Sequence, residues 1–300
     1  MIDMLAGSVL FFNMYDPSHR AHLPAEVVTA SLLGTHSSSV TTALAVQDST
    51  QLESLEPIEA SIIEAQARCI LEDLPVNAFK INHLLTIEMI EEVASILADY
   101  NQIPTVLVLS KYLSDFISRR GDFVPNEKLH EVYLDFLAPH TNVVILDLNY
   151  LSTWLSEEYQ INTGADLLAL LIELGVESCF ILNEKMDNNT IQHTIYHSSG
   201  ERDQFVQPLH ISTPAEFADM IGTAVSCFLA QEVPLFEACR MAISFTNKQL
   251  EHLIQIGMGR PFPNRLAFYE IALSVDDEDD DDDEYDIEDD EDENNNAYRA

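Results

Sequence analysis

The chain has 300 residues, 47% of them hydrophobic, which is enough for one large α/β domain or two small ones with a real core. Glycine appears only 9 times against roughly 21 at average usage, and neither G-x-G-x-x-G nor G-x-x-x-x-G-K-[ST] can be written, which excludes an ordinary dinucleotide fingerprint or Walker loop. The formal net charge is −37; without residues 276–300, which hold 16 acids and one arginine, the body still stands at −22 and would repel phosphate backbones, so no nucleic-acid partner is expected.

Residues 1–14 are apolar but carry Asp3, no basic region and no small-residue cleavage site, and 9–14 read as a first core strand rather than a signal peptide. A loop at 15–23, a helix at 25–33 closed by Gly34 and a strand at 40–47 follow. Ile63, Ala67, Ile70, Leu71 and Leu74 then recur at helical spacing after Pro57. Next come a strand at 79–82 and a helix marked by Ile87, Ile90, Val93, Leu97 and Tyr100, with Thr86 as its cap. Residues 105–109 and 143–148 are apolar β-branched runs of the kind that fills the middle of a parallel sheet. Helices at 126–137 and 166–174 separate them from a strand at 179–182. This alternation predicts an α/β fold, a doubly wound, mostly parallel sheet with helices on both faces. Residues 190–196 and 204–211 alternate as antiparallel edge strands would, and two long helices follow at 214–231 and 234–253, the second with Pro234 at its start. The division is a domain at 1–275 and an acidic tail at 276–300, expected to be disordered because its like charges cannot collapse around Tyr285 and Ile287.

Cys69, Cys179, Cys227 and Cys239 lie in apolar stretches without a C-x-x-C and read as small buried hydrophobes in a reducing compartment. No run of 18 apolar residues exists, so the expectation is a cytoplasmic protein with no membrane partner. His19-x-x-His22 beside Asp16 and His193-x-x-x-His197 invite a metal reading. The second pair would be about 13 Å apart along a strand, the first lacks further ligands and reads as a surface loop, and no metal is assigned. Arg119-Arg120-Gly121-Asp122 reads as a solvated turn, with a phosphate contact as the alternative.

The order of these elements over 9–264 resembles the hydroxymethylpyrimidine and phosphomethylpyrimidine kinases of thiamine synthesis, members of the ribokinase-like superfamily. The residues that carry the resemblance are Asp16-Pro17-Ser18, matching D-P-S; residues 39–48, matching S-V-x-T-A-x-x-A-Q-N/D with one small residue altered; Phe79-Lys80-Ile81; the final helix pair; and Gly257-Met258-Gly259, similar to a glycine-rich tail motif. The resemblance implies phosphoryl transfer from Mg-ATP to the hydroxymethyl group of a pyrimidine, by a homodimer. It implies Asp219 as the base that takes the hydroxyl proton, Gln47 pairing with a ring nitrogen and amino group, Asp16 at the ring or hydroxymethyl, His83 where the family has methionine, and Asn149 near magnesium. Three have a plainer alternative: Asp219 as a first-turn carboxylate meeting free N–H groups, Gln47 as a solvent-facing strand end, Asp16 as a turn residue.

The phosphate side departs from the pattern. Backbone N–H groups must approach phosphates closely, and side chains obstruct them. D-P-S-G-G-A-G continues here as His19-Arg20-Ala21-His22, K-G-G falls on Leu182-Asn183-Glu184, and the glycine anion hole falls on Glu216-Phe217-Ala218-Asp219. D-P-V becomes Leu109-Ser110-Lys111, and P-N-x-x-E becomes Leu148-Asn149-Tyr150-Leu151-Ser152. Two functions therefore compete: a pyrimidine kinase with eroded ATP motifs, and a non-catalytic pyrimidine-binding sensor or interaction module whose acidic tail docks a basic protein partner.

Overall fold

The computed structural model describes residues 7–109, 126–154, 158–186, 190–208 and 214–267. Its strands are β1 (Ser8–Tyr15), β2 (His36–Gln47), β3 (Leu52–Pro57), β4 (Ala78–Ile81), β5 (Thr105–Leu109), β6 (Val143–Asp147), β7 (Ser178–Met186), β8 (Thr190–His197) and β9 (Arg202–Pro208). Its α-helices are α1 (His22–Leu32), α2 (Ala60–Asp73), α3 (Ile87–Asp99), α4 (Asn126–Val132), α5 (Gly164–Glu173), α6 (Phe217–Ala230) and α7 (Leu235–Glu251). The strands form one sheet in the order β3-β2-β1-β4-β5-β6-β7-β8-β9. Pairing is parallel from β2 through β7 and antiparallel at both margins, where β3 joins β2 and β8 and β9 follow β7.

Side chains alternate across the sheet with the strand period of two. Leu10, Phe12, Phe79, Ile81, Leu107 and Leu109 face the layer that includes α2 and α3. Val106, Val108, Val143 and Ile145 face α6 and α7, and Val9, Phe11 and Ala78 meet α1 and the end of α6. Lys80 lies two residues after Ala78 and points to the same side, so a charge is sealed beneath α1 and α6. Chain order reverses at β1, making the gap between β1 and β4 the topological switch point, where open α/β sheets place ligands beyond the carboxyl ends of their strands.

Gly222 lets α6 come down onto this sheet. A Cβ there would stand 2.5 Å from Val108 Cγ2 and 3.3 Å from Lys80 Cε. Gly222→Ala is expected to destabilise the fold by about 1–3 kcal/mol through overpacking, read as a lower urea midpoint; an unchanged midpoint would mean that Val108 yields without cost.

The expected fold class is the observed one, with local differences. Helix α1 begins at His22, three residues early, and β2 begins at His36. The sequence reading had no β3. Its segment Leu52-Glu53-Ser54-Leu55-Glu56-Pro57 buries only Leu55, and it is a strand because it hydrogen-bonds to β2 as an edge. The helix expected over 126–137 is α-helical only to Val132 and continues as a wider turn over Tyr133–Leu137. Cys69 is exposed rather than buried, on the outer side of α2, whereas Cys179, Cys227 and Cys239 are buried as expected. Ser110-Lys111, the 119–122 spot, residues 209–211 of the last expected strand and the acidic tail lie outside the described residues. Among the described residues no helix is long and apolar enough to cross a membrane.

Candidate functional site at the sheet switch point

Lys80, on β4, is fully buried and ion-paired with Glu26 of α1 and Asp219 of α6. Burial alone would pull its ammonium down, but the two carboxylates outweigh that and hold its pKa above the ordinary lysine value. Asp219, 4% exposed, also accepts from Asn82 Nδ2 at 2.7 Å and Asn13 Nδ2 at 3.2 Å, and its second oxygen lies 3.5 Å from His22 Nδ1. Burial would push the Asp219 carboxyl up; the Lys80 ammonium and the hydrogen bond to His22 overcome it and keep the group well below the carboxylate range. These bonds go to side chains of β1, the segment after β4 and the start of α1, not to the free N–H groups of α6.

Around this core the Asn13 amide joins two further groups. It donates to Glu26 at 2.5 Å, and its oxygen is 2.8 Å from His83 Nδ1. The His83 and His22 rings meet edge to face with centroids 4.7 Å apart. Burial holds the His83 imidazole well below the usual histidine value, which keeps it neutral.

Asp16 is sealed in the loop after β1. It accepts from Ser18 N at 2.8 Å, Ser18 Oγ at 2.7 Å and Ala21 N at 3.0 Å. Burial works to raise its carboxyl, and hydrogen bonds from Gln47 and these groups reverse that and lower it. The Gln47 side chain, half-buried at the end of β2, is thereby tied to Asp16. Asn149 stands apart: it is exposed on the short helical turn after β6, and its backbone N–H donates to Asp147 Oδ1 at 2.9 Å. The structure thus gathers Asp16 with Gln47, and His83 with Asp219, at the carboxyl ends of β1, β2 and β4.

Residues 254–267 strap this end of the sheet. Gly259 N donates to Ser49 Oγ at 3.1 Å and Arg260 N to Ser49 O at 3.0 Å, closing the strap on the β2–β3 turn. A Cβ on Gly259 would lie 2.1 Å from that carbonyl oxygen, so only glycine fits. Arg265 reaches across to the carbonyls of His19 and Arg20, and burial draws its guanidinium down to about 10.

His19 (φ 59°), His22 (φ 57°) and Asn183 (φ 56°) hold left-handed backbone conformations that ordinarily favour glycine. At these three positions a residue with a side chain holds that conformation. His22 is buried against Asp219, which corrects its reading as part of a surface loop. Glu184 is bonded to Thr194, Tyr196 and Gln192 of β8. Glu216, one residue before α6, pairs with Arg20 and Arg260.

Lys80, Glu26, Asn13 and His22 were not singled out as site residues from sequence. A usable signal was present: a lysine inside the four-residue strand Ala78-Phe79-Lys80-Ile81 has to be paired, since lysine is almost never fully buried without a partner.

Comparison with known proteins gives a consistent picture. The family model for phosphomethylpyrimidine kinase matches residues 16–263. The hydroxymethylpyrimidine/phosphomethylpyrimidine kinase of Escherichia coli is 25% identical over 199 residues, 64% of this chain and 71% of that protein. A thiamine biosynthesis bifunctional protein of Geobacter sulfurreducens is 29% identical over 126 residues, covering 41% of this chain and only 26% of that protein's length. Among solved structures, Bacillus subtilis pyridoxal kinase in an ADP complex has TM-score 0.74 at 18% identity, covering 88% of this chain and 98% of that one. Phosphomethylpyrimidine kinase from Clostridium difficile has TM-score 0.61 at 20% identity, covering 78% and 95%.

Proposed function

Because this chain belongs to the phosphomethylpyrimidine kinase family, we propose that it binds a pyrimidine-type ring at the carboxyl ends of β1, β2 and β4 and does so without transferring a phosphoryl group. The observation that carries this reading is the state of Asp219. A general base works best with a pKa near the operating pH and with a lone pair free for the substrate proton. Here the carboxylate is nearly sealed, holds hydrogen bonds from two asparagines and an ion pair with Lys80, and is stabilised in its charged form. Its role is to balance a buried lysine.

The ring side keeps suitable chemistry. A glutamine amide presents an acceptor and two donors in one plane, the pattern that recognises an aminopyrimidine edge. Gln47 stands beside Asp16 at this end of the sheet. His83, neutral and fixed by Asn13, lies buried against His22 at the same end of the sheet.

A second reading, phosphoryl transfer from Mg-ATP, is favoured by the left-handed His19, His22 and Asn183, which keep a glycine-like backbone path. In it Asp219 is the base, Gln47, Asp16 and His83 hold the ring, and Asn149 lies near magnesium. Calorimetry and melting curves with hydroxymethylpyrimidine and with Mg-ATP, each alone, together with a phosphoryl-transfer assay, separate the two. The expected result is stabilisation by the pyrimidine, weakened at least about tenfold, some 1.4 kcal/mol, in Gln47→Ala, with neither binding nor turnover of Mg-ATP. Transfer that disappears in Asp219→Asn would establish the second reading.

A further inference from the structure

Strand β2 has a partner on one side for most of its length and on the other for only part of it. β1 pairs with it from His36 to Leu44 and β3 from Ala43 to Gln47, so among the described residues no strand lies against the outer side of residues 37–41. The N–H of His36 donates to Gly7 O at 2.9 Å, which turns the backbone groups of the even positions toward β1. Those of Ser37, Ser39 and Thr41 therefore point outward as an open row of donors and acceptors. Open edges invite strand pairing, and proteins ordinarily guard them with charge or proline. The other margins of this sheet are guarded: β3 carries Glu53, Glu56 and Pro57, and β9 carries Arg202, Asp203 and Pro208. The run His36-Ser37-Ser38-Ser39-Val40-Thr41-Thr42 carries neither.

The surroundings are bare of charge as well. At 22% charged residues a stretch of 27 would hold about six, whereas residues 21–47 hold one, Glu26, which is buried against Lys80. Apolar side chains flank the open row on both faces of the sheet. On the α1 face, Tyr15, Val27 and Val28 are exposed around a groove of about 350 Å³ that Ser39 and Thr41 also line. On the α2 face, Ser39, Ala65, Cys69 and Ile70 line a second groove of about 490 Å³, with exposed Ile62 one turn earlier on the helix.

We propose that a second copy of this chain pairs with this edge, β2 against β2, so that two nine-stranded sheets continue into one another across a twofold axis. That axis makes the two strands antiparallel. Centred on Ser39, the pairing exchanges the outward N–H and C=O groups of Ser37, Ser39 and Thr41 with the same groups of the copy, and it sets the apolar grooves beside their counterparts. Charge selects the occupant. The chain carries −37 overall, so a basic partner would be drawn to its acidic surface rather than to a neutral edge, and two copies repel each other wherever charged surfaces meet. Along this edge two such chains can approach without opposed carboxylates, and a second copy brings the complementary open edge with it.

Sedimentation equilibrium of the full-length chain at physiological salt tests this, with Ser39→Pro, Val28→Glu and Val206→Glu as variants. Proline at 39 removes an outward N–H and leaves the ladder to β1 intact, while glutamate at the exposed position 28 sets like charges against each other across the axis. The wild type should be a dimer at micromolar concentration, with amide exchange over residues 36–42 slowing as concentration rises. Ser39→Pro should raise the dissociation constant at least about tenfold, some 1.4 kcal/mol, with the circular dichroism of the wild type. Val28→Glu should act in the same direction and carries the test should the proline variant fail to fold. Val206→Glu, exposed on β9 at the far margin, should leave the dimer unchanged. A wild type that stays monomeric at tens of micromolar, a dimer as tight in Ser39→Pro and Val28→Glu as in the wild type, dissociation by Val206→Glu, or exchange over 36–42 that ignores concentration overturns the proposal.

Discussion

Lys80→Met is expected to cost about 3–5 kcal/mol of folding stability, the largest effect of any single substitution at the site. The methionine fills similar volume, so packing against Gly222 and Val108 is largely kept and the loss is electrostatic. It leaves Glu26 and Asp219, both buried, facing each other without a cation. Of the remaining partners of Asp219, the Asn13 and Asn82 amides stabilise it but carry no charge. Denaturant unfolding at pH 7 measures the loss. A companion variant separates pair from site: Lys80→Met with Glu26→Gln and Asp219→Asn removes all three charges and should recover a large part of the stability, because isosteric neutral replacements need not desolvate a charge. If Lys80→Met alone unfolds at the wild-type midpoint, the buried triad does not stabilise this fold. The wild-type triad also has an acid limit. The folded pKa of Asp219 lies below its ordinary value, so its contribution is complete above about pH 3.8 and disappears as pH falls through the lower folded value.

Stability should fall as pH drops from 6.5 toward 4, and His130→Phe should reduce that fall. His130, on α4, is buried against Trp154 with ring centroids 4.5 Å apart, and burial lowers its pKa to about 4. His193, on β8, is lowered to about 4 in the same way. A histidine whose folded value is depressed stays neutral in the fold while the unfolded chain takes up a proton. Its stabilising effect is therefore complete above pH 6.5 and is lost as pH falls toward 4, at up to about 1.4 kcal/mol per pH unit for each ring. Glu26 and Asp147, raised by burial, act in the opposite sense across part of this window. The readout is therefore the difference between wild type and His130→Phe, which keeps the ring and removes the proton. By pH 4.5 the variant should have lost about 2 kcal/mol less than the wild type. Parallel curves for the two proteins would mean that His130 is protonated in the fold.

Much of the fold was legible because it rests on local period. The runs at 105–109 and 143–148 are apolar except at Thr105 and Asp147, which suits strands covered on both faces, and they became β5 and β6 at the sheet's centre. Thr86 was readable as a cap, and its hydroxyl does accept from Met89 N. The edge strand β3 was not readable, because five of its six residues are at least partly exposed and its conformation comes from pairing with β2 rather than from its own apolar pattern.

The site divides in the same way. Asp16, Gln47, His83 and Asp219 were picked out by their match to family motifs, and all four lie near the switch point; Asn149 was picked out likewise and stands exposed and apart. What each carboxylate does was beyond reach of the sequence. Glu216 looked like a repelling charge at a helix start, and the fold supplies Arg20 from 196 positions earlier and Arg260 from the strap to pair with it. Asp219 had two local readings, proton acceptor or first-turn carboxylate, and neither contained Lys80, 139 positions away.

The sequence by itself determined the layered architecture, because burial of apolar side chains follows a periodicity of two or 3.6 that can be read within a short window. Only the tertiary structure decided the state of the charged groups. An ionised side chain buried in a low dielectric is governed by whichever opposite charge the fold brings within about 4 Å, and here those partners come from strands and loops far apart in the chain.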